Sequence, residues 1–340
     1  MCLQAAIIQK PQIGELGGIA GVKAGPDQVA SRAEATPVKS FSELRARAQE
    51  LGPRRVGLVV ADDEVGLQAV ESATNLNIAI PVLVGDEAKI RTKIRELGAQ
   101  ALLERAVFVA ARDSIGAAQA AVRMAREGEI DLLLKGHLRT DELLRAALDK
   151  QNGLRTGRLL SDVLLYEDTL AGTRRLVGIT DGGINVAPTL DEKKQIVHNA
   201  VAVLHAIGIE RPKIALMSAT EAVTESVPST LEAKTLTEMG AGGEFGECEV
   251  FGPLALDNAL LESAAKAKGI TSQVAGHADC MVVPNIEAGN LLGKAVKYFG
   301  DSQCAHVVVG AKAPILIPSR VESADDKLNS IALGVVASGR

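Results

Sequence analysis

Short apolar runs alternate with segments of helical periodicity along most of the chain. Nine runs of six or seven residues are dominated by small and branched apolar side chains, and they cover residues 55–61, 80–85, 106–111, 130–136, 176–182, 213–219, 280–285, 306–311 and 315–320. Continuous apolar runs of this length are typical of strands buried on both faces of a sheet. The alternation therefore predicts an α/β fold with mostly parallel sheets covered by helices on both faces.

Capping residues mark the boundaries of the predicted helices. Residues 189–207 have helical periodicity, Thr189 and Glu192 have the spacing of a capping box, and Gly208 follows the last helical position. In folds of this class, ligands bind beyond the carboxyl ends of the strands. The residues that follow each apolar run are therefore the first candidates for a functional site.

The beginning of the chain has a different pattern. Residues 1–40 are rich in Gly, Ala, Pro and Gln without sustained periodicity, whereas residues 41–51 are amphipathic. We expect residues 1–40 to form a partly disordered extension, because this segment lacks the regular apolar face that would hold it against a core.

Length and composition indicate a globular protein with two domains. The chain has 340 residues, which is more than one core usually supports. Apolar residues make up 47% and charged residues 23%, as in ordinary globular proteins. The net charge of -5 and the aromatic content of 2% give neither attraction nor stacking surface for nucleic acid. We therefore expect no nucleic-acid partner.

The four cysteines and the lengths of the apolar runs indicate where in the cell the protein is expected. Cys2, Cys248, Cys280 and Cys304 form no C-x-x-C pair, so reduced thiols are expected rather than a zinc site or a small disulfide scaffold. No apolar run reaches the length of a membrane span, and the first residues lack the features of a secretory signal. We expect a cytoplasmic protein without a membrane partner.

Several common catalytic motifs are missing from the sequence. There is no G-x-G-x-x-G after an apolar run, no G-x-x-x-x-G-K-[ST], no H-E-x-x-H and no G-x-S-x-G. The five histidines lack metal-ligand spacing, and we interpret them as structural or surface residues; they are His137, His198, His205, His277 and His306. We therefore expect no metal and no nicotinamide cofactor.

A basic segment follows the fourth apolar run. Residues 135–158 contain six Lys or Arg and three Asp or Glu, a local charge of +3. Lys135 and Gly136 end the run, where Gly allows a ligand close to the backbone and Lys acts as a point charge on phosphate. The alternative is that Arg145 and Lys150 only form the solvated face of a helix.

A second cluster closes the last apolar run. Ser319 and Arg320 end the predicted strand, and Ser323 precedes a helix with Asp326 three residues later. A hydroxyl, a guanidinium and a carboxylate therefore meet near a helix N-terminus, which favours anions. The alternative is a capping box formed by Ser323 and Asp326, with Arg320 in a surface ion pair.

Small and polar residues follow two further runs and occupy one loop. Ser218 and Thr220 follow residues 213–217, Gly276 lies in a loop, and Asn285 ends residues 280–285. Such residues are suited to admit a phosphate or a pantetheine arm close to the backbone, but they are equally common in ordinary turns.

In combination, these segments resemble the phosphate acetyltransferase and phosphate butyryltransferase family over roughly residues 50–337. The stretches that carry the resemblance are LLLKGHLRTDELLRAAL, ITDGGINVAPTLDEKKQIVHNAV, KIALMSATEAVTESVPST, GPLALDNALL, VAGHADCMVVPNIEAGNLLGKAV and GAKAPILIPSRVESADDKLNSIAL. The Lys135-Gly136 form of the first stretch resembles the butyryltransferase-like branch.

The resemblance implies an isocitrate/isopropylmalate dehydrogenase-like fold with an active site in an interdomain cleft. Domain one would comprise residues 41–152 and 302–340, with residues 153–301 as an inserted domain. The resemblance also implies that Ser319, Arg320 and Asp326 are catalytic and that Arg145 serves the active site. Lys135, Gly136, Ser218, Thr220, Gly276 and Asn285 are further candidates for substrate binding.

The implied reaction is acyl-CoA + phosphate ⇌ acyl phosphate + CoA, with an acetyl, propionyl or butyryl group and with CoA as a substrate. No nucleophile–base pair is evident, so we expect direct attack in a ternary complex, in a homodimer or a larger homo-oligomer. Two alternatives are a metal- and NAD-dependent dehydrogenase of the same fold and a non-catalytic CoA-binding module.

Overall fold

The computed structural model describes residues 36–170 and 172–339. The expected disorder of residues 1–40 falls mostly outside these residues. The described part begins with an extended segment that leads into the first helix, where Ser40 accepts a hydrogen bond from the backbone N–H of Glu43. This cap starts the helix at the end of the polar stretch that precedes it.

Helices and strands alternate in three consecutive parts of the chain. The first part contains α1 (Phe41–Glu50), β1 (Arg54–Val59), α2 (Glu64–Asn75), β2 (Ala79–Gly85), α3 (Glu87–Leu97), α4 (Gln100–Arg105), β3 (Val107–Ala110), α5 (Ser114–Glu127), β4 (Leu132–Lys135) and α6 (Thr140–Ala147). The second contains β5 (Ser161–Asp168), β6 (Arg175–Thr180), α7 (Leu190–Ala206), β7 (Lys213–Met217), α8 (Pro228–Ala241), β8 (Glu249–Leu254), α9 (Leu256–Leu260), α10 (Glu262–Ala267), β9 (Cys280–Val282) and α11 (Ile286–Phe299). The third contains β10 (Cys304–Val309), β11 (Ile315–Leu316) and α12 (Ala324–Ala337).

The strands form one continuous sheet of eleven strands. Their order is β3-β2-β1-β4-β11-β10-β5-β6-β9-β7-β8. Pairing is parallel toward both ends, and the antiparallel pairs are confined to the middle, where β10 pairs with β11 and β5, and β5 pairs with β6. The prediction of an α/β fold with mostly parallel pairing is confirmed.

Each of the nine apolar runs contains a strand, but β5 and β8 were not predicted. The sequence of β5, SDVLLYED, has acidic residues near both ends and lacks a long apolar run. The sequence of β8, EVFGPL, contains Gly252 and Pro253, which argue against a central strand. Because β8 is at the edge of the sheet, its proline removes no bond to a further strand.

The proposed domain boundary falls within the sheet. Strands from residues 41–152 and 302–340 form one half, and strands from residues 153–301 form the other. The halves meet where β10 pairs with β5 over six residue pairs, and Thr36–Arg340 forms one compact unit. We call these parts the first and second halves below, and their division into two domains remains a prediction.

Helix α12 lies at the centre of the first half. All its residues from Asp326 to Val336 are buried, and the helix packs on α1, α2 and β10. Several of its polar side chains are paired within the protein: Lys327 donates to Asp63 at 2.6 Å, and Ser330 accepts from the backbone N–H of His306 at 2.9 Å. The buried Oδ1 of Asn329 has no hydrogen-bond partner in the described residues. A helix buried on all sides must satisfy its polar groups internally, because burying an unpaired polar group is costly.

Asp326 connects the start of α12 to both halves. Ser323 caps the helix and donates its hydroxyl to Asp326 at 2.7 Å, and the backbone N–H of Cys304 donates at 3.0 Å. Lys297 of α11 donates at 2.7 Å from the second half. Burial alone would raise the pKa of Asp326, but the hydrogen bonds from Lys297, Ser323 and Cys304 hold it below its usual value. Asp326 is therefore a buried, ionised anchor.

We predict that Lys297→Met destabilises the protein, because the buried Asp326 carboxylate loses its cation. The expected loss is about 3 kcal/mol, at the lower end for broken buried pairs because Lys297 is partly exposed. Lys294→Met is the matched control, since Lys294 is exposed on the same helix. Urea unfolding monitored by circular dichroism measures both variants, and equal losses would contradict the anchoring role of Lys297.

Candidate active site

A cleft of about 240 Å³ lies between the two halves. Helix α11 forms one side, and residues 317–322, which connect β11 to α12, form part of the other. Its lining comprises Thr140, Asp162, Leu164, Ile179, Gly182, Gly183, Gly289, Asn290, Gly293, Lys294, Lys297, Tyr298, Cys304, His306, Ile317, Ser319 and Glu322. We call this the central cleft.

Ser319 is the predicted catalytic residue that lines the central cleft. It is half-buried, and its carbonyl accepts a hydrogen bond from the backbone N–H of Glu322 at 3.2 Å, which closes a tight turn. Arg320 sits at the exposed apex of this turn, and its guanidinium has no ion-pair partner among residues 36–170 and 172–339. The turn therefore presents a hydroxyl to the cleft and an adjacent cation that is available to an anion.

Lys135 contributes to a group of positive charges near this turn. It is buried at the end of β4, and burial lowers the pKa of its ammonium, with further lowering from Lys327 and Arg320. Asp63 and Glu322 oppose this shift in part. A bound anion would relieve the repulsion between these cations, which is the arrangement expected of a phosphate site.

Close packing against β1 requires a glycine at position 136. Its backbone N–H donates to the carbonyl of Val59 at 2.9 Å, and a Cβ at this position would lie 2.5 Å from the carbonyl oxygen of Val60. The absence of a side chain thus allows the chain to turn away from β4 directly against β1. Contact between Gly136 and a substrate remains a prediction.

Three titratable side chains form a bridge across the central cleft. His306 of β10 contacts Asp162 of β5 through Nδ1 at 3.0 Å and Glu322 through Nε2 at 3.4 Å. Burial opposes a charge on this imidazole, but Asp162 and Glu322 outweigh it and raise the pKa of His306 well above its ordinary value. This shift favours the imidazolium, which hydrogen-bonds Asp162 and forms an ion pair with Glu322.

A further carboxyl group lies beside this bridge. Burial, and then the charge of Asp162, raise the pKa of Asp181 to about 6. Its carboxyl accepts hydrogen bonds from the backbone N–H groups of Gly183 and Ile184 and from the Asn185 side chain. This loop brings Gly182 and Gly183 to the cleft lining.

Helix α11 supplies both close packing and positive charge to the central cleft. Gly289 lets the helix approach the loop after β6, since a Cβ there would lie 2.7 Å from the Cα of Gly182. Lys294 and Lys297 follow at helical spacing and line the cleft. These two ammonium groups favour anionic ligands.

None of the seven predicted substrate-binding residues lines the central cleft, and five of them remain to be placed besides Lys135 and Gly136. Arg145 is exposed in α6, pairs with Asp141 at 3.5 Å and borders a groove between α5 and α6. Ser218 shares a hydrogen bond with Ser229 at 2.8 Å, and Thr220 accepts from the backbone N–H of Ala222 at 3.2 Å. The substrate contacts proposed for these three residues remain predictions.

The other two residues have local structural roles. Gly276 has a φ of 82° and packs so closely that a Cβ would lie 2.5 Å from the Cα of Glu262. Asn285 caps α11 and accepts from the backbone N–H of Ala288 at 3.0 Å. Asn285 thereby sets where α11 starts and where its cleft-lining residues fall. Direct contact of either residue with a substrate remains a prediction.

Sequence reasoning missed most of the polar lining of the central cleft. His306 was interpreted as structural or surface, although it is a polar residue within an otherwise apolar strand. Asp162 was missed because β5, the strand that carries it, was not predicted. Lys297 was missed because it belongs to no recognisable sequence motif. Within the part of the chain that the structure describes, no group of three or more His, Cys, Asp or Glu is arranged to hold a metal ion.

Known proteins are similar to this chain in sequence and in fold. A family model described as Phosphate acetyl/butaryl transferase matches residues 104–335. The phosphate butyryltransferase of Clostridium beijerinckii is 38% identical over 302 residues, which cover 89% of this chain and 99% of that protein. The phosphate acetyltransferase of Rickettsia prowazekii is 39% identical over 298 residues, which cover 87% of this chain and 83% of that protein.

Two crystal structures match with the same TM-score. A branched-chain phosphotransacylase from Enterococcus faecalis has a TM-score of 0.73 and 29% identity, over 84% of this chain and 99% of that chain. A phosphotransacetylase from Streptococcus pyogenes has a TM-score of 0.73 at 20% identity, over 88% of this chain and 99% of that chain, and shows a shared fold. The family model and the long alignments together show that this protein belongs to the Phosphate acetyl/butaryl transferase family.

Proposed function

We propose that this protein transfers a short acyl group between coenzyme A and inorganic phosphate, acyl-CoA + phosphate ⇌ acyl phosphate + CoA. The observation that carries this proposal is the position of Ser319 in a cleft lined by Lys294 and Lys297. Arg320 is the next residue, and its guanidinium has no ion-pair partner in the described part of the chain. Both substrates of the reaction are anions. The cleft combines a hydroxyl with several cations, which is what such a pair of substrates requires.

Phosphate would bind near Arg320 and Lys135. Arg320 offers a planar donor pair that matches two phosphate oxygens, whereas Lys135 acts as a point charge. A phosphate dianion near both would counteract burial and the repulsion from Lys327 and Arg320, which together lower the pKa of Lys135. Positive charge at this place also stabilises the oxyanion that develops when phosphate attacks the thioester, or when the CoA sulfur attacks an acyl phosphate.

The acyl group would pass directly between the two substrates in a ternary complex. Ser319 would donate a hydrogen bond to the thioester sulfur, or orient the free thiol in the reverse direction. Holding both anions in line contributes up to roughly 7–11 kcal/mol to lowering the barrier in favourable cases. Closure of the two halves around the substrates would provide this alignment.

Asp326 is the proposed base for the CoA thiol. In this structure its carboxylate is fully buried and binds Lys297, Ser323 and the backbone of Cys304, so it lies behind the cleft lining. A carboxylate with a lowered pKa is a weak base for a thiol near 8.5. For Asp326 to take the proton, Lys297 has to move away, which would raise the pKa of Asp326 and open its path to the cleft.

The remaining expectations concern partners and location. The substrates would be CoA or acyl-CoA and phosphate or acyl phosphate, with an acetyl, propionyl or butyryl group and no added cofactor. No helix in the described residues is long and apolar enough to span a membrane. We propose a cytoplasmic homodimer or larger homo-oligomer, and neither a nucleic acid nor a membrane partner.

A direct test is phosphate-dependent release of CoA from acetyl-, propionyl- and butyryl-CoA. The proposal requires turnover with at least one of them. A metal- and NAD-dependent dehydrogenase would instead reduce NAD with a hydroxy acid, and a non-catalytic CoA-binding module would bind CoA without turnover. Absence of phosphate-dependent release with all three substrates would remove the proposed activity.

We predict that Arg320→Lys loses most of its activity although the positive charge is kept, because one ammonium replaces a planar pair of donors. The Michaelis constant for phosphate should rise in steady-state assays. Arg211→Lys is the matched control, since Arg211 is exposed and pairs with Glu249. Arg320→Lys kinetics equal to those of the control would remove Arg320 from the site.

We predict that catalysis needs no divalent metal and no nicotinamide, since the sequence contains no dinucleotide fingerprint and no metal-ligand spacing. Activity should therefore persist after dialysis against EDTA. Loss of activity on chelation and recovery with Mg²⁺ or Mn²⁺ would support the dehydrogenase alternative instead.

We predict that Asp326→Asn lowers kcat by about 10²–10⁴-fold, because an amide cannot accept the thiol proton. Ser323→Ala is the matched control: it removes the cap but keeps the carboxylate, and should cost about 1 kcal/mol of stability with little change in kcat. Asp326→Glu tests whether a displaced carboxylate restores turnover. An Asp326→Asn protein that melts earlier but turns over normally would leave Asp326 with the capping role alone.

A further inference from the structure

The bridge formed by Asp162, His306 and Glu322 joins elements that the chain does not connect closely. His306 belongs to β10 in the first half, and Asp162 belongs to β5 in the second half, 144 residues earlier. Glu322 lies in the turn that carries Ser319 and Arg320. One imidazole ring therefore contacts the second half through one nitrogen and the catalytic turn through the other.

The turn is anchored at its ends, by the buried Ile317 and Pro318 and by the bonds of Ser323 to Asp326, and Glu322 adds a side-chain contact between them. Strand β11 is only two residues long, and α12 begins at Ala324, so residues 317–323 lie outside regular structure. Within the turn, the backbone N–H of Glu322 bonds to the carbonyl of Ser319, which shapes the turn but does not fix it to the rest of the protein. The Glu322 side chain is buried and reaches inward to His306, which provides such a fixed point.

Both carboxylates of the bridge also need a positive charge on His306. A neutral imidazole has one N–H and would donate to only one of the two carboxylates, whereas the imidazolium donates to both. Glu322 depends on this cation, since its second oxygen, Oε2, is buried with no hydrogen-bond partner in the described residues. Without the imidazolium, Asp162 and Glu322 would also place two uncompensated negative charges in a cleft that binds anions.

We propose that His306 is a positioning residue that fixes the Ser319–Arg320 turn across the central cleft through Glu322, with Asp162 as its support in the second half. The proposal rests on the function proposed above, because the turn matters only if Ser319 and Arg320 act on substrate. His306 itself does not exchange a proton with substrate. It sets where the hydroxyl and the guanidinium lie.

The kinetic test uses His306→Gln, Glu322→Gln and the double variant. A displacement of about 1 Å in a reacting group costs up to about 10²-fold in rate. We expect His306→Gln to lower kcat by about that factor and to raise the Michaelis constant for phosphate more than that for acyl-CoA, because Arg320 moves with the turn. The double variant should be no slower than His306→Gln alone, since both changes break the same contact. Additive losses, or a normal kcat for His306→Gln, would overturn the proposal.

Limited trypsin digestion tests the position of the turn without any assay of activity. Trypsin cleaves after Arg320, and Val321 next to it is exposed. Mass spectrometry of the fragment that starts at residue 321 should show faster cleavage in His306→Gln and in Glu322→Gln, with unchanged cleavage after the exposed Lys150. His198→Gln is the matched control. His198 lies on α7, outside the central cleft, and its Nε2 is 3.8 Å from a carboxylate oxygen of Glu244.

The kinetic test and the trypsin digestion together distinguish failure of this inference from failure of the proposed function. If the wild type shows no phosphate-dependent turnover but both variants are cleaved faster after Arg320, the function fails and the positioning contact stands. If turnover is normal and cleavage after Arg320 is unchanged in both variants, the positioning role fails alone. Should His306→Gln not fold, Glu322→Gln carries both arms, because an amide of the same shape replaces the carboxylate.

Discussion

The antiparallel pairing of β10 with β5 is the constraint on which the rest of the structure depends. It joins two mostly parallel half-sheets into one sheet and holds the halves together beside the central cleft. Asp162 and His306 come from these two strands, and the Cys304 amide that binds Asp326 also comes from β10. The start of α12, the turn that carries Ser319 and Arg320, and the cleft wall are therefore all positioned by this one strand pair.

Charge compensation determines which groups can act in the cleft. Three carboxylates near it have a cationic partner: Asp326 binds Lys297, and Asp162 and Glu322 share His306. Lys294 and Arg320 make no ion pair in the described residues and so remain available to substrate anions. The protein therefore keeps acidic groups next to the proposed anion site by placing cations against them, with one imidazole shared by two carboxylates. Removal of a single cation would disturb both stability and substrate binding.

Much of the fold followed from local pattern, whereas much of the site did not. The nine apolar runs predicted nine strands because buried strands are continuous in sequence, while β5 and β8 were missed because their polar or proline-containing sequences take strand form only in the complete sheet. Ser319 could be singled out from the sequence because it lies at the end of an apolar run and because the family resemblance points to it. His306 and Asp162 lie within strands from different halves, so their contact depends on tertiary pairing that no local pattern contains.

The central claim is that this cleft makes acyl phosphate through Ser319 without a covalent acyl-enzyme. The most direct measurement is ³¹P NMR of the protein incubated with butyryl-CoA or acetyl-CoA and inorganic phosphate, for the wild type and for Ser319→Ala. The account predicts an acyl phosphate signal that grows with released CoA in the wild type and is strongly reduced in Ser319→Ala, with no acylated protein by intact mass. An equal signal from both proteins, or an acylated protein that accumulates before phosphate is added, would contradict it.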